Sequence, residues 1–248
     1  MKKHLYLWLI ILSFNCNSED AADCFQTRGT TVQQQIDVPE FTKILVNRNI
    51  QLIVKQGAQT QVVVETGENL ISDVEVEVVA GKLIVTDNNT CNYVRHYTAT
   101  KVYVTAPNLT EIRSSTQHEI TSDGTLTYNN ITLLSEDFNH PESFTVGDFN
   151  MQFNNSHIRV VSNNIASFYF SGLTENLSVE FYSGAGRFQG ENLIAQKVTV
   201  FHRGSNDMVV NPQEELNGEL RGTGNLIVVN QPPILDVEQF YTGQVIFN

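Results

Sequence analysis

The feature that most constrains the fold of this chain is a short glycine-containing unit that recurs along its second half. Three segments align on the almost evenly spaced Gly184, Gly204 and Gly222: SVEFYSGAGRFQG, KVTVFHRGSNDMVV and LNGELRGTGNLIVV. Each unit consists of an alternating apolar and polar stretch, a turn of small residues and a second stretch. One such unit cannot bury its apolar face alone, whereas stacked units can. The repeat therefore predicts a stack of similar β-strand units.

The glycines of these units are predicted to be turn residues, because a tight corner needs positive φ or the absence of a side chain. They are Gly184, Gly186, Gly204, Gly222 and Gly224. The stretch GAGRFQG is also one residue away from a dinucleotide-binding glycine fingerprint. That fingerprint requires a following helix, whose N-terminal amides bind phosphate, and here another strand and turn follow. A nucleotide site is therefore excluded.

The first half shows the same period-two alternation from Val32 onward, without a sustained helical stripe. In DVEVEVVAGKLIVTDN, for example, valines and glutamates face opposite sides and a glycine separates two strands, which is typical of a hairpin. We therefore predict an all-β fold with more hairpin-like strands in the N-terminal half. The residues after Pro232-Pro233 are predicted to form a last strand pair that covers one end.

The amino terminus has the features of a secretory signal over residues 1–15. Lys2 and Lys3 precede the apolar run Leu5–Leu12, and eight apolar residues are too few to span a bilayer, which needs about 20. The chain is therefore predicted to be exported.

Cys16 directly follows this run and resembles the lipid-acceptor cysteine of bacterial lipoproteins. Acyl chains on Cys16 would anchor the protein to a membrane, and residues 16–35 would form an acidic tether. Asn15 stands where such signals usually have a small residue, so an ordinary secretory signal is the alternative. The stretch NSED after Cys16 resembles an acidic tag for display on the outer face, or it is a solvated linker.

Two further cysteines, Cys24 and Cys91, can form only one pairing. In an oxidising compartment a disulfide is the expected state, with two free thiols as the alternative. The cysteines are 67 residues apart, and closing a loop of that length stabilises the fold by roughly 4 kcal/mol in the loop-entropy model.

The charge balance argues against a nucleic-acid partner. The formal net charge is −12, and it becomes −14 once Lys2 and Lys3 are removed with the signal. Such a surface repels nucleic acid and anionic headgroups. Contact with a membrane is therefore expected only through the lipid anchor.

The sequence offers no motif for catalysis or for a metal. The histidines have no HxH or HExxH spacing, and no G-x-S-x-G motif is present. We therefore assign no catalytic residue, no metal ligand and no cofactor.

Four residues are candidates for ligand contacts. Arg203 and Arg221 each precede a repeat glycine and could face an acidic glycan as a basic pair, or they are two solvated charges. Tyr169 and Tyr182 alternate with core aromatics and could stack on sugar rings, or they form ordinary cross-strand pairs.

The order of several motifs resembles one family of bacterial envelope proteins. An acidic leader with DCF is followed by CNYVR, by KVYV leading to PNL, and by serial GxG turns that end in RGTGNLIVV. Over residues 40–235 this combination resembles the putative auto-transporter adhesin, head GIN domain family, although Asn206 stands where a second glycine is typical. The resemblance implies a right-handed parallel β-helix or solenoid-like stack, no shared catalytic residues and an adhesive role.

We therefore predict a single solenoid-like domain over residues 36–248, carried by a lipoprotein of the outer membrane that faces either the cell surface or the periplasm. Its predicted function is non-enzymatic binding of a surface glycan or protein, as an adhesin. The alternatives are a carbohydrate-binding or carbohydrate-cleaving β-helix protein and a passive structural lipoprotein. The oligomeric state is left open.

Overall fold

The computed structural model describes residues 24, 26–89, 91, 93 and 98–248. Its regular structure is made of 17 β-strands and one short 3-10 helix, Ile71–Asp73, in the described part of the chain. The predicted all-β class is confirmed. The predicted signal and Cys16 lie outside the described residues.

The first ten strands are short, as expected from the closely spaced turn residues of this half. They are β1 (Thr31–Ile36), β2 (Lys43–Val46), β3 (Ile50–Gln56), β4 (Gln61–Gly67), β5 (Val74–Val79), β6 (Lys82–Asp87), β7 (Thr100–Ala106), β8 (Glu111–Ser114), β9 (Ile120–Leu126) and β10 (Asn130–Ser135).

The repeats of the second half correspond to four long strands followed by three short ones. They are β11 (Phe149–Ser162), β12 (Ser167–Phe181), β13 (Arg187–His202), β14 (Met208–Leu220), β15 (Leu226–Val228), β16 (Ile234–Gln239) and β17 (Val245–Phe247).

The long strands pair in parallel, each with the next one along the chain. Phe149 lies opposite Phe168 and Ser162 opposite Phe181, so β11 and β12 keep the same register from end to end. Between β12 and β13 the register shifts by one position at an irregularity after Tyr169. The repeat seen in the sequence is therefore the spacing of parallel neighbours.

The pairings divide the sheet into two faces, which we call the first and the second face. The first face contains β1, β4, β7, β3 and β9, the first halves of β11–β14, and then β15 and β17. The second face contains β5, β6, β2, β8 and β10, the second halves of β11–β14, and then β16. Each long strand thus contributes to both faces.

Antiparallel pairing occurs at the N-terminal end, as the predicted hairpins suggested. Strands β5 and β6 form a hairpin whose turn residues Ala80 and Gly81 both have positive φ, at 50° and 75°, as the favoured two-residue turn requires. Strands β3 and β4 follow each other in sequence, yet β7 lies between them and pairs with both. Sequence neighbours here are not sheet neighbours.

Strand β1 begins within the predicted tether of residues 16–35. All six of its residues pair with β4, from Thr31 opposite Gly67 to Ile36 opposite Val62. The alternating TVQQQI gives β1 a mostly polar outer side, and the ladder hydrogen bonds hold it on the sheet edge.

The core lies between the two faces and is rich in phenylalanine in the second half. Phe149 and Phe168 stack with ring centroids 5.0 Å apart, and Phe168 contacts Phe170 and Phe181 edge-on or tilted. These four rings are at most 2% exposed. Such contacts contribute about 0.5–1.5 kcal/mol per pair beyond the burial of apolar area.

Cys24 and Cys91 form a disulfide, with their Cα atoms 4.5 Å apart. The bond closes the 67-residue separation expected from the sequence and ties the segment before β1 to the connection between β6 and β7. The backbone adds one contact, since the Tyr93 amide donates to the Cys24 carbonyl at 2.9 Å.

The turns of successive repeats stack so closely that some leave no room for a Cβ atom. Gly184 has φ +85°, and a Cβ there would overlap the Asn164 carbonyl oxygen; a Cβ on Gly222 would overlap the Gly204 carbonyl oxygen. The same carbonyls accept hydrogen bonds from the next turn, for example Ala185 N–H to Asn164 at 2.8 Å. Gly186, Gly204 and Gly224 lie in the same turns.

Replacing Gly184 with alanine should therefore destabilise the fold more than the backbone angle alone explains. Gly124 is a matched control, because it has φ +90° but open space where a Cβ would be. We expect Gly124→Ala to cost about 1 kcal/mol from the left-handed backbone, and Gly184→Ala about 3 kcal/mol because the overlap adds to it. Urea unfolding at equal m-value measures both, and equal losses would contradict the close-stacking explanation.

Candidate functional site

One row of outward-facing side chains on the second face lies just beyond the ends of the long strands. The ladder continues past these ends: the Arg203 amide donates to Phe181 at 2.8 Å, that of Arg221 to His202 at 2.7 Å, and that of Phe240 to Leu220 at 2.8 Å. Neighbouring members are therefore one strand spacing apart, about 4.8 Å. Tyr182 is the first member of the row, next to Arg203.

Aromatic side chains extend this row into a continuous surface. Tyr182 contacts Phe138 edge-on, at 5.4 Å between ring centroids, and packs against Phe201 at 5.0 Å. The chain loop after β10 supplies Phe138, and β13 supplies Phe201. We call this surface the aromatic strip, and it consists of Phe138, Tyr182, Phe201, Arg203, Arg221, Phe240 and Tyr241.

The far end of the aromatic strip is a shallow, open groove. It is lined by Phe201, Arg203, Glu219, Arg221, Phe240 and Tyr241. The Arg221 guanidinium lies 3.9 Å from the centroid of the Phe240 ring and forms an ion pair with Glu219. The ring face and the carboxylate together hold Arg221 flat on the surface.

Arg203 differs from Arg221, although the two are ladder neighbours. Its side chain is exposed, and no ion pair of the described part of the chain includes it. The strip therefore presents one guanidinium that is held by protein groups and one, on an exposed side chain, that no carboxylate of the described residues pairs with.

A polar network fixes the other end of the strip. The Glu180 carboxylate accepts two hydrogen bonds from Arg159, at 2.7 and 2.6 Å, and one from the Tyr182 hydroxyl at 2.9 Å. Burial raises the pKa of Glu180, but the hydrogen bonds from Arg159 and Tyr182 outweigh burial and bring it below its usual value. The hydrogen bond to Glu180 raises the pKa of Tyr182. The ring orientation of Tyr182 is thus set by an ionised carboxylate.

The structure brings three of the four predicted contact residues together. Tyr182, Arg203 and Arg221 share the strip, whereas Tyr169 lies on the first face, opposite Asn150 and Gln189. Tyr169 is 43% exposed, and it forms none of the aromatic pairs of the strip.

Sequence reasoning missed Phe138, Phe201 and Phe240. A sequence signal existed for Phe201, because in KVTVF it has the opposite parity to the apolar Val198 and Val200. The structure places it on the outer side of β13, opposite Glu180. Phe138 comes from a loop outside the repeats, and Phe240 from a segment whose pairing partner could not be read from the sequence.

His202 lies directly beneath the strip and points into the core. It is fully buried, packs against Phe181 with centroids 6.1 Å apart, and accepts a hydrogen bond from the Gly204 amide at 3.3 Å on Nδ1. Burial lowers the pKa of His202 below its usual value of 6.5, and Asn206 and Asp207 oppose that effect only in part.

Within the described ranges, no group of three or more His, Cys, Asp or Glu side chains is arranged to hold a metal ion. Over the same residues, no helix has the length and apolar character needed to cross a membrane.

The family model for the putative auto-transporter adhesin, head GIN domain, matches residues 40–232. The chain belongs to this family. The resemblance seen in the sequence motifs is confirmed, and the match stops close to the expected end at residue 235. No curated protein matches the chain.

Solved structures show the same fold. A putative adhesin from Bacteroides fragilis superposes with a TM-score of 0.78 at 18% identity, over 90% of this chain and 99% of its own. A putative lipid binding protein from Parabacteroides distasonis gives 0.58 at 16% identity, over 89% and 97%. A putative adhesin from Parabacteroides merdae gives 0.54 at 14% identity, over 89% and 97%.

The buried His202 predicts a loss of stability on mild acidification. Its pKa is depressed in the folded state, so below about pH 6.5 the unfolded chain binds a proton that the folded protein does not. The free energy of unfolding should then be constant above this pH and should fall below it by up to about 1.4 kcal/mol per pH unit. Burial also lowers the pKa of His118, which adds a second, similar contribution.

Denaturant unfolding between about pH 5 and 7.5 measures this dependence. We expect His202→Asn to flatten the curve in part, whereas His140→Gln, at an exposed site, should leave its slope unchanged. A slope that is the same in His202→Asn and the native protein would contradict the assignment.

Proposed function

We propose that this protein is a non-enzymatic binding module of the cell envelope and that it binds a polysaccharide through the aromatic strip. The observation that carries the proposal is the row of exposed and half-buried rings and guanidinium groups from Phe138 to Tyr241. The family and two of the solved relatives are described as putative adhesins, which supports a binding role.

The chemistry of the strip suits sugar rings. A sugar has apolar C–H faces and hydroxyl edges, so it is bound by aromatic faces together with planar polar groups. Here Tyr182 and Phe201 supply ring faces, Phe240 supplies the ring that holds Arg221, and Arg203 supplies donors that no protein carboxylate occupies. The row from Tyr182 to Phe240 covers three strand spacings, roughly 14 Å, which accommodates a short run of sugar units in an extended chain.

The two carboxylates beside the strip, those of Glu180 and Glu219, favour binding over cleavage. A glycosidase acid needs a raised pKa, and its partner carboxylate must face the scissile bond. Glu180 has a pKa below its usual value and is occupied by Arg159 and Tyr182, and Glu219 is paired with Arg221. These carboxylates therefore favour a binding protein over a carbohydrate-cleaving enzyme. The exposed rings favour it over a passive structural protein, which would not need them.

We further propose that the chain winds as a right-handed parallel β-helix-like stack. The parallel pairing of each long strand with the next among β11–β14 supports this winding, and parallel crossovers are right-handed in nearly all proteins. Such a stack presents the strip as a flat, rigid face.

The location of the protein at the cell exterior rests on two features. The Cys24–Cys91 disulfide indicates export, because such bonds persist in oxidising compartments, and the family is one of envelope adhesins. We propose in addition that Cys16 carries the acyl chains of an outer-membrane lipoprotein, so that the folded body is held on a short tether.

Removal of single rings from the strip should weaken polysaccharide binding. On a glycan array we expect the native full-length protein to bind a subset of polysaccharides. Tyr182→Ala and Phe201→Ala should each lower the affinity about tenfold, the loss expected when a ring contact is removed. Tyr169→Ala is the matched control, since this tyrosine is comparably exposed (43% against 36% for Tyr182) but lies on the first face.

An equal loss in Tyr169→Ala would mean that another surface binds the ligand. Release of shortened products from a bound polysaccharide would favour the enzyme, and native protein that binds no glycan would contradict the polysaccharide proposal.

The lipid anchor predicts incorporation of a fatty acid at one residue. Cells grown with a palmitate analogue should label the native protein, and Cys16→Ser should abolish the label while the protein is still exported. An unlabelled native protein would favour the ordinary secretory signal.

A further inference from the structure

The C-terminal end of the molecule has two strand edges without partners in the described structure. Strand β16 pairs with β14 on the second face, and β17 pairs with β15 on the first face. The two strands do not pair with each other, so the predicted last strand pair is replaced by one edge strand on each face. Both edges expose backbone donors and acceptors at the same end of the sheet.

The side chains of this end are also exposed. Four large apolar residues of β16 and β17 are 38–56% exposed at the same end of the sheet, and a contiguous apolar patch of this kind marks an interaction surface. They are Ile234, Leu235, Ile246 and Phe247.

Two of these side chains face the interior rather than the solvent side of the sheet. Leu235 lies opposite the buried Leu216, and Phe247 lies opposite the buried Val228. The two partners are fully buried, whereas Leu235 and Phe247 are 43% and 42% exposed. The last layer of the core is therefore uncovered.

The opposite end of the sheet has a different surface. Its edge strands are β1, with three glutamines in TVQQQI, and β5, which presents Glu75 and Glu77. Charged and polar edge residues of this kind prevent strand pairing. Val79 is the large apolar residue that β5 exposes, at 51%.

We propose that the C-terminal end binds a second copy of this chain, with β16 of each copy pairing antiparallel with β17 of the other about a two-fold axis. In that arrangement both faces continue from one copy into the next. The uncovered layer of Leu235 and Phe247 then meets the same layer of the second copy and is removed from water.

The charge pattern favours pairing of β16 with β17 of a second copy. Strand β16 carries Asp236 and Glu238, whereas β17 has the uncharged sequence VIF. Pairing β16 with a second β16 would set these carboxylates against one another, and like charges directly opposite destabilise a sheet. Pairing β16 with β17 avoids that repulsion. The second copy also supplies two edge strands and an apolar layer at the spacing that this end presents.

Sedimentation equilibrium of the full-length protein over a wide range of concentration tests the proposal. We expect a closed dimer that dissociates on dilution. Leu235→Glu and Phe247→Glu should each weaken it at least about tenfold, since a buried carboxylate is unfavourable in the joined core. Val79→Glu, at a comparably exposed site (51% against 43% and 42%) on an edge strand of the other end, should dimerise like the native protein.

Hydrogen exchange of the native protein provides a second measurement that needs no variant to fold. The amides of β16 and β17 should be better protected at high than at low concentration, with β1 and β5 unaffected. A protein that remains monomeric at all concentrations would overturn the proposal, as would chains longer than two copies, protection at the β1 and β5 end, or equal weakening by Val79→Glu. Binding of polysaccharide by a monomer would leave the proposed function intact and would separate the two proposals.

Discussion

The close approach of successive turns is the constraint on which the repeats depend. The carbonyl oxygen of Asn164 occupies the space that a side chain on Gly184 would need. In a later pair of turns, the carbonyl oxygen of Gly204 occupies the same space next to Gly222. Because those carbonyls also accept ladder hydrogen bonds, a turn can approach its neighbour in only one register. The register then fixes which side chains share a row on the outer surface, so the alignment of Tyr182, Arg203 and Arg221 is a consequence of the glycines.

The sequence supported a correct prediction of the all-β class and of the repeat because both depend on local patterns. Alternation identifies strands, and glycines at nearly equal steps identify parallel neighbours. The partners of the short strands could not be predicted in the same way. Strands β3 and β4 each alternate well. Alternation does not show, however, that β7, which comes later in the chain, lies between them.

The site was predictable where the glycine alignment gives the register and was missed where it does not. Arg203 and Arg221 each precede a repeat glycine and lie in one row. Tyr182 joins that row although it stands two residues before Gly184, because Ser183 adds one residue to that turn. Tyr169 and Tyr182 belong to the same repeat, but β12 passes from the first face to the second between them. Periodicity does not show where a continuous strand changes face.

A stack of strands offers ligands a surface rather than a pocket, and this affects how such a protein gains affinity. Under the proposed function each ring of the strip would contribute modestly and an open groove would exclude little water, so one strip would bind a polysaccharide weakly. The same regularity leaves strand edges at both ends. The polar N-terminal edge resists pairing, whereas the C-terminal edge, with its uncovered apolar layer, is the one proposed to pair. Joining two copies through that end would place two strips on one rigid body. A polymeric ligand could then engage both strips, and the second contact would form at high effective concentration. Weak binding by a single strip and dimerisation through the C-terminal edge would therefore both follow from the same parallel arrangement of strands.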